Sequence, residues 1–207
     1  MKKVTIIDYG AGNIHSVFSA FSKVSQYNIE VVSSSAKLTA TDYLILPGVG
    51  AFDKPMEFFA LNPEFKAYIL AHVKSGKPFL GVCVGMQILG DIGHENKLTS
   101  GLGLIAGEVK KFPANLPIRV PHIGWNNLLV KQDVLNGFNY KKFHQKDFYF
   151  VHSYYFACQN KINVIAECDY GNKFPAILVA ENIIATQFHP EKSGINGLSF
   201  LTEFLNL

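Results

Sequence analysis

The chain has 207 residues, of which 48% are hydrophobic and 17% charged, values typical of a compact globular protein of one domain, residues 1–207. A net charge of +3 without a dense tract of Lys or Arg does not support nucleic-acid binding. The sequence contains no C-x-x-C or H-E-x-x-H string and no apolar run long enough to cross a membrane, so we expect no metal, no cofactor and no membrane partner.

Strand-like and helix-like segments alternate through the first half of the chain. Short apolar runs predict strands at residues 4–8, 29–32, 43–46 and 78–82. Helical periodicity predicts helices at residues 13–24 and 65–73, and a third at 84–89. The alternation predicts βαβ units, and strands that are apolar throughout predict a parallel sheet covered on both faces.

The second half of the chain is rich in closely spaced strand-like segments. Strands are predicted at residues 108–112, 148–156, 164–168, 176–180 and 183–188. Residues 180–183 are typical of a hairpin turn, and a last helix is predicted at residues 198–204. Together these segments predict an α/β fold whose mostly parallel sheet, flanked by helices, gains an antiparallel extension.

Three segments that follow predicted strands are the candidates for forming a site. In open parallel sheets, sites lie beyond the carboxyl ends of strands, where residues 8–10, residues 47–50 and Cys83 fall. Gly10 and Gly12 form part of a dinucleotide-binding fingerprint, but the third glycine is missing because position 15 is His15. We therefore do not favour a dinucleotide site.

Cys83 is the candidate nucleophile. It stands in the string Gly-Val-Cys-Val-Gly-Met-Gln, residues 81–87, between a predicted strand and a predicted helix. This is the pattern of a nucleophile elbow with cysteine in place of serine, and the flanking glycines suit a sharp turn between closely approaching chains. The alternative is an inert buried cysteine, and a base elsewhere in the sequence would distinguish the two.

A candidate base stands near the other end of the chain, in the string Gln-Phe-His-Pro-Glu at residues 187–191. His189 follows the last predicted strand, so we expect it at the same edge of the sheet as Cys83. Glu191 can reach the second imidazole nitrogen and fix its tautomer, and Pro190 stiffens the turn between them. The three side chains predict a cysteine–histidine–acid triad.

The cysteine count also bears on the compartment. Cys83, Cys158 and Cys168 are an odd and small number, so no disulfide framework is expected and a reducing, cytoplasmic setting is favoured. The apolar run after Lys3 is stopped by Asp8, too soon for a secretory signal.

The elbow string and the string at 187–191 together resemble the class I (triad) glutamine amidotransferases. Further strings narrow the resemblance to the HisH family, the glutaminase subunits of imidazole glycerol phosphate synthase. They are Ile-Asp-Tyr-Gly-Ala-Gly-Asn (7–13), Leu-Pro-Gly-Val-Gly-Ala-Phe (46–52), Gly-Leu-Gly-Leu-Ile (101–105), Pro-His-Ile-Gly-Trp-Asn (121–126) and Tyr-Phe-Val-His-Ser-Tyr-Tyr (149–155). The resemblance covers nearly the whole chain and implies the flavodoxin-like fold of class I glutamine amidotransferases.

The resemblance implies a glutaminase mechanism and its residues. Cys83 would attack the side-chain amide carbon of glutamine, with His189, oriented by Glu191, carrying the proton. The oxyanion of the intermediate would be bound by backbone N–H groups from Val84 and from the loop of Gly48, Val49 and Gly50. The residues expected to bind the amino-acid part of glutamine are Gln87, Glu95, Ser153 and Tyr154.

The resemblance also implies a partner. HisH subunits form a heterodimer with a (β/α)8-barrel cyclase subunit, HisF, which receives the ammonia and makes imidazole glycerol phosphate in histidine biosynthesis. The positions expected to face that partner are Asn13, Trp125, Tyr149 and Lys192. For Trp125 the alternative is packing in the core.

Two other functions are to be compared with this one. HisH-like paralogues supply ammonia for the amidination of surface sugars, and the local motifs fit both pathways because the glutaminase subunit does not contact the ammonia acceptor. An inactive binding module of the same fold would require the loss of a triad member, and Cys83, His189 and Glu191 are all present.

Overall fold

The computed structural model describes residues 1–207 and contains sixteen strands and five α-helices. The strands in chain order are β1 (Lys3–Ile7), β2 (Asn28–Val32), β3 (Tyr43–Gly48), β4 (Phe79–Cys83), β5 (Ile92–Gly93), β6 (Thr99–Ser100), β7 (Gly107–Lys111), β8 (His122–Asn127), β9 (Leu129–Val130), β10 (Val134–Leu135), β11 (Phe138–Asn139), β12 (Asp147–His152), β13 (Tyr154–Cys158), β14 (Val164–Asp169), β15 (Lys173–Ala180) and β16 (Ile183–Thr186). The helices are α1 (Ile14–Val24), α2 (Asp53–Leu61), α3 (Pro63–Lys74), α4 (Val84–Gln87) and α5 (Gly194–Leu205). None of the helices is long and apolar enough to span a membrane.

The central sheet has eight strands in the order β2-β1-β3-β4-β16-β15-β14-β9. The pairs from β2 to β16 are parallel, and the pairs from β16 to β9 are antiparallel. The predicted α/β fold with a mostly parallel sheet and an antiparallel extension is therefore confirmed. Every residue of β3 and β4 is buried, as expected for strands covered on both faces.

The strand order brings three segments to one edge of the sheet. Because β4 lies between β3 and β16, the segments after these strands are neighbours at the carboxyl end. Gly48 of β3 is paired directly with Cys83 of β4, and Thr186 of β16 is paired with Val82. The residues that follow Thr186, including His189, thus start beside the nucleophile.

Strands β8 and β12 form a small antiparallel ribbon that is not hydrogen-bonded into the central sheet. In its register Tyr149 is opposite Trp125, and His152 is opposite His122. A four-stranded sheet in the order β13-β7-β5-β6 and a β10–β11 pair complete the strands. A contiguous core of 53 buried hydrophobic residues runs through the chain, and α1 packs against β2 and α5.

Several local predictions were wrong. Strand β3 continues through Pro47 to Gly48, α2 and β8 were not predicted, and residues 148–156 are two strands rather than one. The break at Ser153 lets β12 pair with β8 while β13 pairs with β7.

The helix after Cys83 is also shorter than predicted, a single turn that ends at Gln87. The turn tightens at its end, because Leu89 N donates to Met86 O over 3.2 Å and Gly90 N donates to Gln87 O over 3.1 Å, three residues back rather than four. The next carbonyls, Ile88 O and Leu89 O, accept from Leu102 N and Leu104 N, so no further helical turn forms.

Candidate active site

Cys83 occupies a strained turn between β4 and α4. Its backbone angles are φ 54° and ψ −108°, a region that side-chain-bearing residues rarely adopt. The flanking glycines permit the turn, because a Cβ on Gly85 would lie 1.8 Å from Leu46 O and one on Gly81 would lie 2.8 Å from Gly85 O. The local sequence therefore builds the elbow by allowing contacts that no other residue type permits.

The sulfur of Cys83 lies at the wall of a cavity of about 400 Å³. Gln187 Nε2 lies 3.6 Å from Cys83 Sγ and donates to it, and Val151 O lies 3.9 Å from the same sulfur. Neither Cys158 nor Cys168 lines this cavity, and burial raises the pKa of the Cys168 thiol to about 12. Of the three cysteines, Cys83 alone borders a space that a small substrate can enter.

His189 lines the same cavity, and its imidazole is held from behind by Glu191. The Nδ1–Oε1 distance is 2.8 Å, and the two side chains are only 2% and 3% exposed. The backbone is fixed as well: His189 N donates to Tyr149 O over 2.9 Å, and Ser193 Oγ donates to His189 O over 2.6 Å. Since Nδ1 donates to the carboxylate, Nε2 is the nitrogen left for proton transfer.

The electrostatics of His189 follow from its neighbours. Burial lowers the pKa of His189, but the negative charge of Cys83 and the carboxylate of Glu191 outweigh burial and raise it to about 10. His189 Nε2 has no partner that meets full hydrogen-bond geometry, and Cys83 raises the pKa of His189 mainly through its charge. The arrangement favours a proton on the imidazole when the sulfur is a thiolate.

The candidate oxyanion loop lies beside the nucleophile. Val49, Gly50 and Val84 line the cavity, whereas Gly48 does not, because it is the last residue of β3 and packs against Tyr9. Val84 is the first residue of α4, so its backbone N–H has no acceptor within the helix. These positions offer backbone donors close to the sulfur.

The four residues expected to bind the substrate all line the cavity: Gln87, Glu95, Ser153 and Tyr154. Gln87 Nε2 donates to Tyr154 O over 2.8 Å, and Glu95 Oε2 accepts from Phe52 N over 2.9 Å. Burial raises the pKa of Glu95, and the bond from Phe52 partly opposes this shift. The cavity wall thus includes a carboxyl group and a side-chain amide.

The residues expected at a partner interface lie on and near the β8–β12 ribbon. Trp125 is 57% exposed, so the alternative of core packing is wrong. Its ring meets Tyr149 edge-on at 6.0 Å, and Lys192 Nζ lies 5.8 Å from the Tyr149 ring centre. Asn13 is the residue that precedes α1.

Several residues at the cavity were missed by sequence reasoning. His152, Pro121 and Val151 line it, and Gln187 contacts the sulfur from behind. Gln187 stands in the same string as His189, which was a usable signal. His152 stands in the string at 149–155, but its place at the cavity depends on how the β8–β12 ribbon packs, which the local sequence does not show.

The fold and the cavity define a class I glutamine amidotransferase. The chain matches the family description "Glutamine amidotransferase class-I" over residues 5–206. Among solved structures, PurLQS from Thermotoga maritima has the same fold, with a TM-score of 0.76 at 19% identity, covering 99% of this chain and 98% of that one.

Curated relatives narrow the family further. The "Imidazole glycerol phosphate synthase subunit HisH 1" of Campylobacter jejuni is 43% identical over 206 residues, covering 99% of this chain and all of the relative. The "Imidazole glycerol phosphate synthase subunit HisH" of Methanosarcina barkeri is 43% identical over 211 residues, covering 100% of both chains. The chain belongs to the HisH family of class I glutamine amidotransferases.

Proposed function

We propose that this chain hydrolyses glutamine to glutamate and ammonia as the glutaminase subunit of an imidazole glycerol phosphate synthase in histidine biosynthesis. The observation that carries the proposal is the shared cavity: Cys83 in its strained turn and His189 bonded to Glu191 at 2.8 Å. Residues 1–207 act as one domain in this proposal, consistent with the contiguous core. The names of the relatives favour this pathway over the amidination of a surface sugar.

The first half of the reaction releases ammonia. The thiol proton of Cys83 passes to His189 Nε2, and the sulfur forms a bond to the side-chain amide carbon of glutamine. The carbonyl electrons move to oxygen, where the N–H of Val84 and the Val49–Gly50 backbone stabilise the charge. As the carbon–nitrogen bond breaks, His189 gives its proton to the departing nitrogen, which leaves as ammonia.

The second half restores the enzyme. A water molecule gives a proton to His189 Nε2 and attacks the carbonyl carbon of the glutamyl thioester. The carbon–sulfur bond then breaks, the proton returns to the sulfur, and glutamate leaves. Glu191 accepts a hydrogen bond from Nδ1 and stabilises the imidazolium in both halves.

The amino-acid part of the substrate is assigned to the part of the cavity lined by Glu95 and Gln87. Glu95 and Gln87 Oε1 are acceptors suited to its ammonium group. Both amide hydrogens of Gln87 are used within the protein, toward Tyr154 O and Gln187 Oε1, which leaves Oε1 for the substrate. Backbone groups near Ser153 and Tyr154 are assigned to the carboxylate.

The partner is assigned to the exposed face of the β8–β12 ribbon. HisH relatives are named as synthase subunits, and the partner we propose is the (β/α)8-barrel cyclase HisF in a heterodimer. Ile123 and Trp125 of β8 are 59% and 57% exposed, and Ile195 at the start of α5 is 78% exposed, an unusual density of large apolar side chains. Tyr149, Lys192 and Asn13 are assigned to the same interface. The buried, unpaired cysteines are consistent with the cytoplasm as the compartment.

The test is a glutaminase assay of the purified chain with and without the barrel subunit and its nucleotide substrate. We expect slow hydrolysis by the chain alone and a large increase with both present. The glycines on either side of Val49 let its peptide reorient, and we propose that the partner favours the orientation whose N–H faces the oxyanion. Cys83→Ala should abolish hydrolysis in the complex, and Cys158→Ala, a buried cysteine away from the cavity, is the matched control. Full hydrolysis by Cys83→Ala would overturn the proposal.

A further inference from the structure

Gln187 is a fully buried amide side chain beside the nucleophile. It follows β16 directly, and the parallel pairing of β16 with β4 sets it next to Cys83. Its backbone N–H donates to Ala176 O over 3.0 Å, which fixes the start of the side chain. A buried amide must find partners for its polar atoms, so its side-chain contacts are informative.

The contacts of Gln187 are determined by a chain of hydrogen bonds that begins at a backbone carbonyl. Tyr154 O can only accept, so the atom of Gln87 that meets it at 2.8 Å is the amide nitrogen. The same nitrogen lies 3.1 Å from Gln187 Oε1, which must accept. Gln187 Nε2 is therefore the atom that faces Cys83 Sγ at 3.6 Å, and it donates.

The N–H of Gln187 stabilises the thiolate form of Cys83 more than the thiol form. A thiol sulfur is a weak acceptor, whereas a thiolate accepts a charge-assisted bond. Cys83 is only 3% exposed, and a fixed donor in such a buried setting is stronger than in solution. An amide retained solely for packing would not need its N–H on the reacting atom.

We propose that Gln187 is a further catalytic residue, whose side-chain N–H stabilises Cys83 as a thiolate and whose Oε1 holds Gln87 in the orientation that binds substrate. The proposal rests on the glutaminase function given above. Gln187 thus connects two parts of the site, because its side chain contacts both the nucleophile and the residue assigned to the substrate ammonium. No proton leaves Gln187 at any step.

The test measures the reactivity of Cys83 directly and needs neither glutamine nor a partner. The rate of alkylation of Cys83 by iodoacetamide is measured against pH, with the modified peptide identified by mass spectrometry. In Gln187→Met, which keeps the volume and removes the donor, we expect the pH midpoint to rise by about one unit. Gln187→Glu, which keeps the shape and still accepts from Gln87, should shift it in the same direction.

Two controls separate this effect from damage to the fold. Asn182→Ala removes a half-buried amide just before β16, where Asn182 Nδ2 donates to Val73 O and Lys77 O, and it should lower the melting temperature without moving the midpoint. In the wild-type chain, the side-chain amide resonances of Gln187 should shift as the sulfur titrates. Midpoints within about 0.2 units of wild type in both Gln187 variants, or static resonances, would refute the role.

These results are independent of the glutaminase assay. A shifted midpoint together with absent hydrolysis would leave the Gln187 contact standing and refute the proposed function. Normal hydrolysis with an unmoved midpoint would refute the Gln187 role alone.

Discussion

Glu191 Oε1 accepts a hydrogen bond from His189 Nδ1 over 2.8 Å, in a pair of side chains almost fully removed from solvent. Glu191 does not line the substrate cavity, so it acts on the reaction only through His189. Burial alone would drive His189 to its neutral form, and the carboxylate with the Cys83 charge reverses that preference. The pair consequently keeps the imidazole oriented so that His189 Nε2 is the nitrogen that transfers the proton.

Replacing Glu191 should slow proton transfer and leave the binding of glutamine almost unchanged. In Glu191→Gln the hydrogen bond can persist but the charge is lost, so the imidazolium is less stable and kcat should fall by about 100-fold or more. KM for glutamine should change little, because the side chain has no contact with the cavity. Steady-state glutaminase kinetics of the complex measure both. Glu203→Gln, at an exposed ion pair with Lys142, is the matched control, and an unchanged kcat in Glu191→Gln would contradict the assignment.

A second buried pair makes the fold sensitive to acid. His122 Nδ1 and His152 Nε2 are 3.1 Å apart among aromatic rings, and burial lowers their pKa values to about 4 and about 3. Below pH 6.5 the unfolded chain binds protons at these residues while the folded chain does not. Stability from the pair is therefore fully present above pH 6.5 and is lost as the pH falls toward 4.

Urea unfolding at pH 6.5 and pH 5.0 measures this loss, and His189, whose pKa is raised in the folded chain, contributes equally to the wild-type chain and to the variant compared with it. The wild-type chain should lose about 2 kcal/mol per histidine of the pair over this interval. His122→Phe, which suits the stacking on Tyr170, should reduce the loss by about 2 kcal/mol. His72, whose pKa burial also lowers, contributes equally to both chains. An identical pH dependence in His122→Phe would count against the pair.

Much of the fold and the triad could be predicted because their signals are local. Continuous apolar runs defined β1, β3 and β4, and the flanking glycines marked Cys83 as a tight turn. The features that were missed depend on pairing between distant segments. The helix after Cys83 ends in a tightened turn, beyond which Ile88 O and Leu89 O accept from Leu102 N and Leu104 N, and these bonds to a later segment cannot be read from the local sequence.

The same reasoning explains which site residues were found. His189 and Glu191 are two residues apart, so their contact follows from the sequence, whereas Gln87 and Gln187 are separated by one hundred positions. Their contact exists only because β16 inserts beside β4. His152 likewise reaches the cavity only through the packing of β12, and no periodicity in the sequence predicts this position.

The ribbon of β8 and β12 should carry binding energy for the partner subunit. Trp125 is 57% exposed and rests edge-on against Tyr149, whose carbonyl accepts the backbone N–H of His189. Trp125→Ala should weaken the complex by about 2 kcal/mol, or about 30-fold in Kd, as expected for an aromatic anchor. Titration calorimetry with the barrel subunit measures the change. Ile162→Ala, at a 69% exposed site outside the ribbon, should leave Kd unaltered, and equal effects would argue against the assigned interface.

The strain at Cys83 predicts that the nucleophile costs stability. At ordinary positions glycine is less stable than alanine by about 0.5–1 kcal/mol, because it loses more backbone freedom on folding. At φ 54° and ψ −108° the order should reverse, since glycine adopts these angles freely and a Cβ does not. Cys83→Gly should therefore be more stable than Cys83→Ala by about 1–2 kcal/mol, although both variants are inactive.

The same two substitutions at Ser22, on the exposed side of α1, should show the usual order, with glycine about 1 kcal/mol less stable than alanine. Denaturant unfolding of the four variants measures the difference, and alanine more stable than glycine at both sites would mean that the elbow holds no strain.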